Sequence, residues 1–555
     1  MKKLINSIFI IAILLIVDAC TNEWLEENPP NLITAETLFV NLDGFEAGLN
    51  GLRARVRQER EGITGDNGLR QDIAVLGTDN VVPNARAYFG RVALTWEQNT
   101  STQSDLEKFF LWNYAVINTA NTLINRAESP DVDWTGGGAT EEENKNRIVA
   151  EARAIRAWSY RHLTYCWGDV PLNLEESKGS TIKTDWERTP VADVRDQMKS
   201  DWLFAEEYLE VEPAIEGAIS KGAVQHYLSE LYLAINKPDS ALFWANKVID
   251  TPQYKLITQR YGVKASEPGV AFMDMFYDKN SKRVEGNTEA LWVWQWEYNV
   301  TGGGLSNMRR WHSQTYFHNQ ISINGVKPLQ FTIDRGGRGV GRVAPNKFAI
   351  ELYESNDDRG SNYAIRKFYI LKNATQNAPA EADLLPPGYA YGDTVKLNWE
   401  KDLSGTSTAS RKDWPYIRKW DYAIAENLTI GGNYNDQVYL RLAETYLLKA
   451  EAQYKLNDLS GAAETINIIR RRAHASEITA ADVDIDFILD ERSRELLTEE
   501  HRRYTLLRTG KWLERVRAYN NRGGQTVSDK DTLFAIPQVV IDANLTSEMP
   551  QNPGF

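Results

Sequence analysis

Cysteine is almost missing from this chain of 555 residues, which has only Cys20 and Cys166. A disulfide framework is therefore excluded as its main support, and so is a zinc site built on several thiolates. Histidine is also scarce: His162, His226, His312, His318, His474 and His501 are scattered and form no ligand cluster in the sequence. The enzyme motifs with high information content are absent as well. No H-E-x-x-H, G-x-S-x-G or G-x-x-x-x-G-K-S/T occurs, and GGRGVG at 336–341 lacks the spacing of a dinucleotide loop. Positive charge is in deficit, with 63 Lys and Arg against 76 Asp and Glu and a net charge of −13, which argues against a phosphate-backbone partner such as nucleic acid. With that many acids some pair always lies near another, so carboxylate proximity alone carries no signal for glycoside hydrolysis. The sequence assigns no catalytic residue, no metal ligand and no cofactor.

What is present is an ordinary globular balance, 42% hydrophobic and 25% charged, which excludes a disordered or fibrous chain. By length alone the chain has room for about two to four domains. Aromatics stand out. The 17 Trp and 25 Tyr exceed what packing usually demands and point to a surface that binds through flat apolar faces. At the N-terminus, Lys2 and Lys3 precede an apolar run over 4–17 broken only by Asn6 and Ser7. Such a run is too short for a comfortable transmembrane helix and reads as a signal peptide, residues 1–19. Ala19 directly before Cys20 is similar to a lipobox, in which the thiol is acylated. Lipid on Cys20 leaves Cys166 without a partner, so the exported protein relies on its core. Removing residues 1–19 takes away two lysines and one aspartate, and the net charge becomes −14.

Residues 20–42 form a Pro-containing tether, and amphipathic helices follow at 43–57 and 105–128, with a loop-like stretch at 65–89 between them. The stretch 147–172, RIVAEARAIRAWSYRHLTYCWGDVPL, is a helix stopped by Gly168-Asp169-Val170-Pro171. Further helices are expected at 186–209, 219–235 and 240–249. Laying 227–248 on 448–469 aligns Glu230 with Glu451, Ile235-Asn236 with Leu456-Asn457, Ala241 with Ala462 and Asn246 with Asn467. Both copies read as helix, short turn, helix, the pattern of a tetratricopeptide-like hairpin that stacks on its neighbours. Between them, 253–435 is rich in Gly, Asn, Asp and aromatics and reads as an irregular insertion facing the ligand. Within it 290–298 is strand-like, and its alternation would place Trp292, Trp294, Trp296 and Tyr298 on one face. Helices return at 438–456, 461–473, 485–498 and after His501, and the tail packs on the body.

Glu151, Arg153 and Arg156 form a charged cluster, as do Glu491, Arg492, Glu495, Glu499, Arg502 and Arg503. Their spacing suits pairs that tie helices together. Trp158, Trp167, Trp202 and Trp244 lie in helices and are expected in the core. Trp96, Trp311, Tyr316 and Phe317 instead lie among polar or Gly-rich residues. A sugar ring needs a flat aromatic for its C–H face and polar groups for its hydroxyl rim. Trp311 with Arg309, Arg310 and His312 offers both. The candidate ligand-binding set is therefore Asp79, Asn80, Trp96, Arg309, Arg310, Trp311, His312 and Tyr316, with Asp79 and Asn80 from the turn at 77–80.

Several motifs together resemble the SusD/RagB family of surface lipoproteins. They are Cys20 followed by WLEENPP, AEARAIRAWSYRHLTYCWGDVPL at 150–172, YLRLAETYLLKAEAQYKLND at 439–458 and INIIRRRA at 466–473. ERSRELLTEEHRRYTLLRTGKW at 491–512 and the ending IPQVVIDAN with QNPGF complete the set. The resemblance implies a mainly α fold of tetratricopeptide-like hairpins with a large irregular, partly β ligand-facing insertion, and treats 43–555 as one domain. It implies a non-catalytic, lipid-anchored outer-membrane protein facing the cell exterior. Such a protein captures an oligosaccharide or polysaccharide for a SusC-like TonB-dependent transporter. The family's binding residues vary, so the site residues above rest on local composition. A peptide-binding RagB-like protein, a helical-repeat glycosidase and a purely structural transporter subunit are the alternatives.

Overall fold

A computed structural model describes residues 34–555 apart from 65–66, 85, 179–182, 374–381 and 401–411. The expected signal peptide, Cys20 and the tether as far as residue 33 lie outside the described residues. The rest of the tether holds one helical turn, Ala35–Leu38, capped by Thr34.

Helices dominate. Leu42–Arg57 (α1), Ser104–Arg126 (α2), Glu141–Trp167 (α3), Val191–Tyr208 (α4), Lys221–Ala234 (α5) and Pro238–Ile249 (α6) precede the insertion. Leu442–Lys455 (α7), Leu459–Arg472 (α8), Ile485–Leu496 (α9) and Arg502–Arg508 (α10) follow it. α3 starts before its apolar periodicity does, because Thr140 and Glu143 form a capping box in which each side chain satisfies the other's backbone N–H. It stops at Gly168, whose φ of 71° is open to glycine. From Ile148 to Trp167 nearly every residue is buried, as expected of a helix enclosed by others. α1, α2 and α4 pack around it.

The charges of α3 reach to its neighbours rather than to one another. Glu151 pairs with Arg53 of α1 at 2.6 Å, Arg156 with Asp201 of α4 at 2.7 Å, and Arg161 with Glu230 of α5 at 2.9 Å. Glu151 and Arg156 thus make the ties between helices that their sequence positions suggested, and Arg153 lies over the Phe204 ring of α4. Trp158 is completely buried and is surrounded by Trp112, His162, Trp292, Trp294 and Tyr439.

The two repeat copies are helical hairpins, α5 with α6 and α7 with α8. Asn236 and Asn457 occupy the same place in the two turns with φ of 53° and 61°, a left-handed conformation that asparagine tolerates better than most residues. α6 packs on α7, and Leu233, Ala241, Leu448 and Ala452 share one cluster, so the small alanines allow the hairpins to approach closely.

The insertion is stitched to the helices by short antiparallel strands. Val81–Pro83 (β1) pairs with Val343–Pro345 (β3), and Ala290–Trp294 (β2) pairs with Gln437–Arg441 (β4). β1 and the helical turn Asp72–Val75 give structure to the stretch expected as loop. β4 corrects the helix expected from 438. Residues 437–441 are all buried and pair with the Trp-rich strand, so tertiary pairing wins over helix propensity and α7 begins at Leu442. β2 ends at Trp294. Trp292, Trp294 and Trp296 are buried, whereas Tyr298, expected on their face, is 43% exposed.

Beneath the insertion lies a buried ionic lattice. Glu495 accepts hydrogen bonds from Arg359, Arg441 and Arg472, and Glu491 from Arg359, Arg470 and Arg494. Glu499 receives Arg441 and Lys419, and Glu289 receives Arg441 and Arg472. These acids and cations come from α8, α9, the turn after α9, β4 and the insertion, so the lattice fixes the insertion on the helices.

Candidate functional site

Six of the eight expected ligand-binding residues face protein rather than solvent, and their ligand-facing position is corrected accordingly. Asp79 is fully buried and receives Arg502 at 2.7 and 2.8 Å and Arg515 at 2.7 Å. Burial opposes its charge, but the two guanidiniums hold its carboxyl below the usual range. Asn80 is buried between Thr78 and Ser493. Trp96 is buried with its ring edge-on to Phe89 and Trp512. Arg309 is buried too, and its guanidinium donates to the carbonyls of Gly336, Tyr422, Ile430 and Gly432, pinning two loops together. Trp311 and His312 lie beneath those loops, and burial, with Arg60 nearby, pushes the His312 imidazole down to about 3. The physical reason is common to all six. Polar neighbours in sequence suggested exposure, but segments far away in the chain cover these side chains: the C-terminal helices bury Asp79, Asn80 and Trp96, and the loops at 336–341 and 422–432 close over Arg309.

Arg310, half-buried, and Tyr316, 37% exposed, remain at the surface. They belong to a face that the sequence reading did not assemble. Tyr88 meets Trp311 edge-on at 5.7 Å, and Arg342 lies over both rings at 5.2 and 5.0 Å. Arg338 lies over Tyr316 at 4.7 Å. Backbone bonds from Val340 and Gly341 to the Arg310 carbonyl, and from Arg342 to the Trp311 carbonyl, lock these two segments side by side. Asn84 donates its backbone N–H to the Arg342 carbonyl, which brings the end of β1 to the same face. Tyr88 itself has φ 52° and ψ −141°, a strained conformation for a residue with a side chain and one characteristic of functional sites.

The loop at 426–436 closes one side of this face. Arg338 donates its backbone N–H to the Leu428 carbonyl, and Ser306 and Asn433 exchange backbone bonds. Beyond that loop is a cleft of about 500 Å³ lined by Arg57, Lys282, Trp296, Glu297, Tyr434 and Asp436, among others. Tyr298 stands beside it, edge-on to Tyr434 at 4.9 Å. Burial raises the Asp436 carboxyl above its ordinary range even with Lys282 at 3.1 Å. The region thus presents partly exposed aromatic faces next to guanidiniums, amides and carboxylates, a set suited to the C–H faces and hydroxyl rims of sugars. Tyr88, Tyr434, Arg338 and Arg342 carry no signal of this kind in the sequence, and Tyr298 was expected beside the tryptophans of 290–298 rather than among the ligand contacts. For Arg338 and Arg342 the available signal was a different one, their place in the Gly-rich run 336–342.

Among the described residues one group brings together three metal-capable side chains, Glu59, His162 and His501, all buried. Its hydrogen bonding does not suit a metal. Arg161 can only donate, so at 2.9 Å it requires Nδ1 of His501 to accept, which leaves the proton on Nε2 facing Glu59 at 2.7 Å. A ligating histidine needs the opposite arrangement, with its second nitrogen donating to an acceptor. The group ties the turn after α1, α3 and the residue before α10.

Comparison with known proteins agrees with this architecture. A family model described as "SusD family" matches residues 288–555, and one described as "Starch-binding associating with outer membrane" matches 23–233. SusD-like protein P25 of Formosa agariphila is 24% identical over 539 residues, covering 91% of this chain and 90% of that protein. The crystal structure of a SusD homolog from Bacteroides thetaiotaomicron has a TM-score of 0.70 at 19% identity, covering 94% of this chain and 98% of that one. Surface glycan-binding protein A from Bacteroides fluxus has a TM-score of 0.65 at 17% identity, with coverages of 92% and 99%. With two such models dividing most of the sequence between its N-terminal and C-terminal parts, and with relatives matched over nearly their whole length, the chain belongs to the SusD/RagB family.

Proposed function

We propose that this protein is a non-catalytic, cell-surface glycan-binding lipoprotein that captures oligosaccharide and delivers it to a SusC-like TonB-dependent transporter. Residues 1–19 serve as signal peptide, Cys20 carries the lipid that holds the protein to the outer membrane, and 20–42 tether a single domain over 43–555. The observation that carries the capture step is the set of partly exposed aromatics beside hydrogen-bonding side chains, Tyr88 and Tyr316 on the one face and Tyr298 and Tyr434 at the adjoining cleft. Family membership supports the same reading, since relatives of this fold include a surface glycan-binding protein. Of the residues singled out from sequence, Arg310 and Tyr316 are retained as ligand contacts.

Calorimetric titration with polysaccharide and peptide pools tests the capture step. The expected result is saturable binding of a glycan, weakened by Tyr316→Ala, with the polymer recovered intact. Release of reducing ends by the pure protein, or binding of peptides alone, would overturn the reading. In cells, Cys20→Ser is expected to lose membrane retention, and co-purification of the transporter with the wild-type protein tests the partnership.

A further inference from the structure

The distribution of charge along the insertion is uneven in a way that the overall acidity conceals. From Tyr298 to Ile350 the sequence contains one acid, Asp334, and seven basic residues, Arg309, Arg310, Lys327, Arg335, Arg338, Arg342 and Lys347. Asp334 is taken by Lys372. Arg335 is buried against Asp383, and Arg309 is buried among carbonyls. The guanidiniums of Arg338 and Arg342 are left on the face described above, half-buried, over aromatic rings and, among the described residues, with no carboxylate within ion-pair distance. The Nε atoms of both are buried and, among the described residues, have no hydrogen-bond partner. Asp72 interacts with Arg342 only at longer range, and burial and Asp105 raise its carboxyl well above the usual range. Glu426, on the facing loop, pairs with neither.

Two half-buried arginines with no ion-pair partner among the described residues, in a chain of net charge −13, are costly unless a ligand completes them. The rings of Tyr88, Trp311 and Tyr316 hold the two guanidiniums in place, and the fork of donors on a guanidinium suits a carboxylate or sulfate. The aromatic rings beside them supply surfaces for sugar rings. We infer that the ligand of this face is an anionic glycan, bearing uronate carboxylates or sulfate esters, whose charged groups are held by Arg338 and Arg342. This inference rests on the glycan-binding reading above and specifies its ligand class.

The test titrates the full-length protein with a neutral β-glucan, a polyuronate and a sulfated galactan, each at low and high sodium chloride. The expected result is binding of one or both charged polymers, which distinguishes carboxylate from sulfate. Affinity should fall at least about tenfold at high salt, where exposed charges are screened. Arg338→Gln and Arg342→Gln should each weaken binding about tenfold, the loss of one charge-assisted contact. Arg338→Lys and Arg342→Lys, which keep charge but lose the planar fork, should fall between. Melting curves identify any variant that fails to fold, in which case Arg338→Gln and the salt series carry the test. Salt-independent binding of the neutral glucan, with both arginine variants unchanged, would overturn this inference and leave the glycan reading standing. Failure of all three polymers, together with binding of an acidic peptide, would overturn both.

Discussion

Replacing Trp158 with alanine removes the ring on which α2, α3, β2 and β4 converge. The side chain has no exposed surface and touches Trp112, His162, Trp292, Trp294 and Tyr439. A buried Trp hides roughly 150–250 Å², worth about 4–6 kcal/mol at about 25 cal/mol per Å². The methyl that alanine keeps, and partial collapse of the cavity, bring this to about 3–5 kcal/mol. The Trp158 indole N–H also donates to the Tyr439 hydroxyl at 3.2 Å, and losing it adds up to about 1 kcal/mol. Tyr439 keeps its own acceptor, Glu59 at 2.7 Å, so no buried donor is orphaned and the sum stays near 4–5 kcal/mol. At an unfolding entropy of about 2.1 cal/mol/K per residue, that loss lowers Tm by about 4 °C for a chain this long. Differential scanning calorimetry resolves such a shift, and Trp158→Phe should lose less. A Tm unchanged within about 1 °C would refute the role of Trp158 as the meeting point of the scaffold.

Glu495→Ala leaves Arg359, Arg441 and Arg472 sharing fewer carboxylates, and breaking a buried ionic group of this kind is expected to cost about 3–5 kcal/mol in urea unfolding. Asn457→Val, which forces a β-branched residue to φ 61°, should destabilise by about 1–2 kcal/mol, whereas Asn457→Gly should be close to neutral. Burial pushes His226, His312 and His318 down to about 3, so the folded state refuses protons that the unfolded chain accepts below about pH 6.5. Glu230, which burial would raise, is held at about 2 by Arg161 and Arg508 and loses its contribution as pH falls from about 4.5 toward 2. Both effects have one sign, so melting temperature should decline steadily from pH 7 to pH 4; a flat profile would contradict it. Trp311→Ala should lower stability and glycan affinity together, because the ring supports Tyr88 and Arg342 from below.

How much was legible differs between scaffold and site. Helices with strong periodicity emerged with boundaries displaced by a few residues, and the repeat's Asn236 and Asn457 proved to share one turn geometry. The start of α3 was readable in principle from Thr140 and Glu143. β4 was not, because Val438 and Leu440 become strand only through pairing with residues about 150 positions earlier. Among the eight candidate ligand residues, local composition distinguished poorly between a buried polar group and an exposed one. Arg309 and Asp79 look alike in sequence to surface residues, and only the four carbonyls and two guanidiniums that surround them reveal otherwise.

The sequence by itself determined the helical class, the family and the large irregular insertion, because periodicity, stop signals and ordered motifs are local properties of the chain. Tertiary structure alone decided which aromatics face outward and which arginines lack an acid. Those are properties of groups far apart in sequence, joined by loops whose backbone hydrogen bonds set Tyr88 beside Arg342 and Arg338 beside Tyr316. Solvation and charge pairing depend on neighbours in space, and no window along the chain contains them.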